Sequence, residues 1–179
     1  MRFISYINNW PIDKHNIGVY TPNMENEIQQ PDALALAEIE ATCLCLNVRK
    51  MARALTHSYE GFLQPGGLRI TQFNLLVAIA LAQKVPLTRL AEVLAIDRTT
   101  LARNLKPLES QNLVTIETST EDRRVRVIAL TEHGRQLLTD ALPRWRQAQT
   151  YMTSLLGQQQ SQALLADSQT VMELVPFSV

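Results

Sequence analysis

Leu90-Ala91-Glu92-Val93-Leu94-Ala95-Ile96-Asp97-Arg98-Thr99-Thr100-Leu101-Ala102-Arg103 is the stretch that decides the fold. Leu90, Ala91 and Leu94 are the small and apolar residues with which a short helix packs on another, so a helix is predicted over about 88–94. Ala95-Ile96-Asp97 is a three-residue link in which Ile96 can plug the turn and Asp97 can cap a second helix over about 98–111. On that second helix Leu101, Leu105 and Leu108 share one face, at about 100° per residue. Thr99, Arg103, Lys106 and Ser110 point the opposite way, with Thr100 beside them and Asn104 on the flank. Pro107 removes a helical hydrogen bond to the carbonyl of Arg103, which predicts a bend and not a stop, because Leu108 continues the apolar face.

Downstream, Leu113–Ile116 and Val125–Leu130 are β-branched runs, and the polar stretch Glu117–Arg124 between them reads as a hairpin tip. Thr131 is placed to cap a long helix reaching about Leu156, with Leu138, Leu142, Trp145, Met152 and Leu155 on one side and a kink expected at Pro143. Gly157 separates a last helix over about 161–174. Upstream, 32–63 reads as one helix carrying the stripe Leu44, Val48, Met51, Leu55, Tyr59, Phe62, stopped by Gln64-Pro65-Gly66-Gly67. A further helix is expected from Thr71, as its N-cap, to about Gln83; it is apolar nearly all round and so central in the core, and Val85-Pro86 ends it.

These elements give a mainly α chain: a winged helix-turn-helix with a two-stranded β wing, flanked by N- and C-terminal dimerisation helices. The first and last helices carry more apolar surface than a small winged helix can cover alone, so pairing them between two copies buries it. The division expected is a variable N-terminal extension over 1–31, a dimerisation helix over 32–67, the winged helix-turn-helix over 68–131 and further dimerisation helices over 132–179. Residues 1–23 are polar and aperiodic, and Met24 opens an ordinary-looking start. They read either as an extension upstream of the true start or as a short ordered arm.

Composition agrees with a helical globular chain: 46% of the 179 residues are hydrophobic and only 6% aromatic. Net charge is zero, which argues against indiscriminate nucleic-acid binding, but the charge is sorted along the chain. Met24–Glu40 holds Glu25, Glu27, Asp32, Glu38 and Glu40 and no base, whereas Arg98–Lys106 holds three bases and no acid, and Arg123, Arg124 and Arg126 follow. The longest apolar run, Leu75–Ala82, is far short of the ~20 residues that span a bilayer, and the N-terminal stretch has no signal-peptide core. No membrane partner is expected, and the location expected is cytoplasmic.

A major groove about 12 Å wide admits the second helix, and its polar face holds the side chains that would meet bases and phosphates. Arg103 can pair bidentately with guanine, and Thr99 and Thr100 can touch a thymine methyl or a phosphate. Asn104 can reach the backbone or adenine, and Arg98 and Lys106 complete the basic face. Arg123 and Arg124, at the hairpin tip, are placed for a narrow, negative minor groove, with Asp122 fixing an arginine by an ion pair. Arg126 reads as an ordinary exposed strand charge. Alone, the basic face of 98–110 would be a solvated helix side; the short turn before it and the arginine-rich hairpin after it make double-stranded DNA the expected partner.

The same stretch, Leu90 to Arg103, resembles the helix-turn-helix of MarR-family transcription regulators. Glu121-Asp122-Arg123-Arg124, with Leu130-Thr131-Glu132-His133-Gly134 after it, resembles that family's wing and the cap of its next helix. The similarity covers about 32–174. It implies a homodimer, DNA reading by the residues matching Thr99, Thr100 and Arg103, and a minor-groove arginine matching Arg124. It also implies a repressor of a pseudo-palindromic operator, released by a small aromatic or anionic effector bound between the dimer helices and the reading lobe. Tyr59, His57, Trp145 and Arg69 are conceivable lining residues there. Gln111-Asn112-Leu113 departs from the family in lacking the usual glycine before that leucine; Asn tolerates the left-handed conformation, so the turn is expected to survive.

Two other readings compete. Cys43 and Cys45 are candidate redox residues of an oxidant-sensing repressor, since some relatives sense oxidants through an N-terminal cysteine. Two apart on a helix they point about 200° from each other, so they cannot easily bond or share a metal, and packing beside the apolar stripe is the weightier reading. The third reading is a winged helix used as a protein-interaction module. No zinc site is expected, because His15, His57 and His133 have no ligand spacing with the cysteines, and two cysteines make no disulfide framework. With no Gly-rich phosphate loop, nucleophile elbow or paired carboxylates, neither an enzyme nor a cofactor is expected.

Overall fold

A computed structural model describes residues 32–120 and 122–175; the readings of 1–31, including the choice between extension and arm, and of Glu121 lie outside the described residues. The elements are α1 (Ala33–Thr42), α2 (Leu44–Leu63), α3 (Ile70–Ala82), β1 (Lys84–Pro86), α4 (Leu87–Val93), α5 (Arg98–Ser110), β2 (Val114–Thr118), β3 (Arg126–Leu130), α6 (Glu132–Leu156) and α7 (Gln158–Leu174). No single helix among them is long and apolar enough to cross a membrane.

Ten residues with Asp32 as N-cap, its carboxylate accepting from the Leu34 N–H at 3.0 Å, form α1. This corrects the expectation of one helix over 32–63. Cys43 is extended (φ −67°, ψ 106°) and ends α1, and α2 starts at Leu44, so the 200° separation of the two thiols on one helix does not apply.

The unit from Leu44 onward is built on α3, which buries Ile70, Phe73, Leu75, Leu76 and Ile79, as an almost wholly apolar helix must. Its start also differs from expectation. Arg69, and not Thr71, is the N-cap residue, and its backbone N–H is satisfied by the Gln72 side chain at 3.0 Å. Leu63 and Leu68 close one end of the core; Leu90, Leu101, Leu105, Leu108, Leu113 and Ile128 fill the rest. From α6, Leu138 and Ala141 join this cluster, and Trp145 stacks on Phe73 with ring centroids 6.4 Å apart. The helix runs unbroken through Pro143.

The sheet is antiparallel with strand order β1-β3-β2. β2 pairs with β3 from Val114–Leu130 to Thr118–Arg126, which is the expected wing. A third strand adds to it: β1 lies on the other side of β3, with Lys84 opposite Ala129 and Pro86 opposite Val127. Three residues containing a proline have no alternation to read, and a proline suits a sheet edge, where its missing N–H goes unused. The result is a winged helix-turn-helix.

Candidate nucleic-acid interface

The two helices that would face a duplex end in the same way. After α4, the Ile96 N–H bonds to the Ala91 carbonyl and the Ala95 N–H to the Glu92 carbonyl, both at 3.1 Å, with Ala95 left-handed at φ 50°. After α5, the Leu113 N–H bonds to the Leu108 carbonyl and the Asn112 N–H to the Glu109 carbonyl, both at 2.9 Å, with Asn112 at φ 55°. Both are Schellman closures, and the second shows the asparagine standing in for glycine as expected. Ile96 is half-buried against the core, so the turn is plugged from inside.

Asp97 starts α5: its carboxylate accepts from the Thr100 N–H at 2.8 Å. Hydrogen bonds from the Thr100 side chain and backbone, and from the Thr99 backbone, hold its carboxyl below the usual range. Leu101, Leu105 and Leu108 are fully buried, which fixes the roll of the helix about its axis. Arg98, Thr99, Arg103, Lys106 and Ser110 therefore stand exposed, with Thr100 and Asn104 half-buried at the edges. Arg103 lies over its own helix, Nη2 donating to Thr100 Oγ1 at a long 3.4 Å. Pro107 is inside the helix, which continues to Ser110.

The wing tip is a tight turn. The Ser119 N–H bonds to the Val125 carbonyl at 2.8 Å and the Val125 N–H to the Asp122 carbonyl at 2.9 Å. Asp122 Oδ1 accepts from the Arg124 backbone N–H at 2.9 Å and from its Nε at 3.4 Å. The Arg124 side chain is 92% exposed, so the aspartate orients a guanidinium that projects into solvent. So open a pair adds little stability, and its effect is positional. Arg123 and Arg126 are exposed beside it.

The end of α5, the return of the wing and the start of α6 are tied together at Thr131. Its Oγ1 accepts from the Gly134 N–H at 2.9 Å and donates to the Asn112 carbonyl at 2.6 Å, while its N–H bonds to the Leu113 carbonyl at 3.1 Å. Gly134 packs so closely on Leu113 that an added Cβ would overlap the Leu113 carbonyl oxygen. The Thr-x-x-Gly spacing held that signal, but sequence alone reads only the cap.

The expected effector residues separate. Tyr59, Leu55, Ile70, Asn74 and Trp145 line a cleft of about 360 Å³ where α2, α3 and α6 meet. The Tyr59 hydroxyl donates to Gln149 Oε1 at 2.6 Å, and burial pushes its pKa up. His57 and Arg69 do not line this cleft: His57 is exposed on α2, and Arg69 borders a different groove together with Arg103. Cys45 is exposed and Cys43 half-buried, so the expected packing role does not hold for Cys45 within one chain. Among the described residues no group of three or more His, Cys, Asp or Glu could hold a metal ion.

A MarR-family model matches residues 66–125. The chain is 30% identical over 99 residues to the organic hydroperoxide resistance transcriptional regulator of Bacillus subtilis, a stretch covering 55% of this chain and 67% of that protein. It is similar to the structure of the M. tuberculosis transcriptional regulator MosR in complex with DNA, with 34% identity and a TM-score of 0.65, over 74% of this chain and 97% of MosR. The chain belongs to the MarR family. The transcriptional repressor CouR bound to a DNA duplex is a further neighbour, at 25% identity and a TM-score of 0.68, over 76% of this chain and 96% of CouR. MarR-family proteins of this kind are DNA-binding transcriptional regulators and not enzymes, and this chain carries the family's winged helix with its polar helix face and arginine wing open to solvent.

Proposed function

We propose that this chain is a homodimeric, sequence-specific repressor that holds a pseudo-palindromic operator until a small aromatic or anionic molecule releases it. The observation that carries the reading is the polar side of α5. The buried leucines turn Thr99, Thr100, Arg103, Asn104 and Lys106 outward with Arg98, while Asp122 steadies Arg124 beside Arg123 at the wing tip. Base edges in the major groove suit the first set and a narrow minor groove the second. Residues 68–131 are the reading lobe. Residues 32–67 and 132–179 supply the dimer surface, supported by exposed apolar side chains such as Leu34 on α1, Val48 on α2 and Leu165 on α7. Two recognition helices held about 34–36 Å apart would read half-sites one turn apart.

The effector would enter the Tyr59–Trp145 cleft, where an aromatic ring meets apolar walls and Asn74 offers an amide. It must prefer the shape that does not bind DNA, since equal affinity for both shapes moves nothing. The test is footprinting on the DNA upstream of the protein's own coding sequence, in the cytoplasmic setting the reading assumes, repeated with phenols and aromatic acids. Two protected half-sites, lost on adding one of these compounds, are expected. The same protection by Arg103→Ala and Arg124→Ala as by the unaltered protein would refute the site. A protein-interaction module would give no gel shift.

A second reading has its own observation. Cys45 is exposed, and the Bacillus subtilis relative is named for organic hydroperoxide resistance. If the chain is an oxidant sensor, treatment with an organic hydroperoxide releases the DNA, and Cys45→Ser or Cys43→Ser abolishes that release.

A further inference from the structure

Arg69, a conceivable effector-lining residue by its sequence, instead shares a groove with Arg103 of α5. The groove, of about 490 Å³ between α3 and α5, is lined by Arg69, Thr71 and Gln72 on one side and Arg103, Asn104 and Gln111 on the other. No carboxylate lines this groove, and among the described residues neither arginine is ion-paired. Two guanidiniums and several neutral hydrogen-bonding side chains with no acid form a surface for an anion. Arg103 and Asn104 belong to the face assigned to bases, so the anion nearest this groove would be the sugar-phosphate backbone bordering the base pairs that α5 reads.

We infer that Arg69, with Thr71 and Gln72, grips a DNA backbone phosphate on the flank of α5 and sets the depth and register of the helix without reading sequence. This rests on the DNA reading proposed above. Arg69 is exposed and outside the helix-turn-helix in sequence, so its replacement leaves the buried core untouched. A phosphate grip differs from a base contact in kind: it weakens binding to all sequences alike and lowers the salt dependence, whereas loss of a base contact relaxes specificity.

The experiment uses the full chain, a duplex selected from a random library by the unaltered protein, and a shuffled duplex of the same composition. Binding constants are measured across a salt series for the unaltered protein, Arg69→Gln, Arg69→Lys and Arg103→Gln. Arg69→Gln is expected to weaken binding to both duplexes by the same factor, on the order of tenfold, and to reduce the salt slope by about one per subunit. Arg69→Lys should recover most of the slope, and Arg103→Gln should lower the ratio between the two duplexes. Ethylation of one phosphate per half-site should impair the unaltered protein and not Arg69→Gln. The inference is overturned if Arg69→Gln changes neither affinity nor slope, if it relaxes specificity as Arg103→Gln does, or if no ethylation position loses its effect. If the unaltered protein selects no sequence, the DNA reading itself falls and takes this one with it; selection with an inert Arg69 removes this inference alone.

Discussion

The winged lobe and the last helix of the same chain are built on opposite terms. In the lobe, α3, α4, α5, β2 and β3 all bury residues, and Leu76, Ile79, Leu101, Leu105 and Leu108 are wholly inaccessible. In α7 no residue is buried, and Leu165, Val171, Met172 and Leu174 are each more than half exposed. Helices in proteins draw most of their stability from packing, and α7, which packs on α6, leaves these apolar side chains uncovered within the chain. One region covers most of its apolar surface within the chain; the other leaves its own to the second copy that the proposed dimer would supply.

Leu105→Ala is expected to cost about 4 kcal/mol in urea unfolding, because a fully buried leucine leaves a cavity under α5. Gly134→Ala should cost about 3 kcal/mol in the same measurement, since a methyl group there must push the Leu113 carbonyl aside. Leu165→Glu should leave the folded lobe intact, by near-ultraviolet dichroism of Trp145, which stacks on Phe73 of the lobe. It should weaken dimerisation about a hundredfold in sedimentation equilibrium, because symmetry counts the lost burial twice. Unchanged dimerisation in that variant would end the contrast between the two regions.

Two smaller effects lie at helix ends. The folded-state pKa of Asp97 lies below its ordinary value of 3.8, so its capping contribution is whole above that value and fades as pH falls through the folded pKa. Unfolding followed downward through this range should show a flatter acid limb for Asp97→Asn than for the unaltered chain. Ala95→Gly, at a left-handed position that glycine adopts freely, should raise stability by about 0.5–1 kcal/mol.

Periodicity made the lobe legible because α3 is apolar nearly all round, as a central helix must be, while α5 has one buried face. Leu101, Leu105 and Leu108 set the roll of α5, and with it the outward set from Thr99 to Lys106. The caps at Asp97 and Thr131 were readable for a related reason: their hydrogen bonds close within three residues. What escaped depends on distant pieces of chain. β1 exists because β3 offers it an edge, and Arg69 belongs beside Arg103 only once α3 packs near α5. Cys43 interrupts what reads as a single helix, and no glycine or proline marks the break.

The knot at Thr131 has a mechanical consequence. With Asn112, Leu113, Thr131 and Gly134 locked in mutual contact, no slack segment separates the base of α6 from the tail of α5. At 25 residues, α6 is a rod roughly 37 Å long. Swinging that rod by ten degrees displaces its far end by about 6 Å, and the riveted end must turn through the same angle. A tilt of α6 would therefore carry the tail of α5 with it, and a loop in place of the rivet would let the two drift independently.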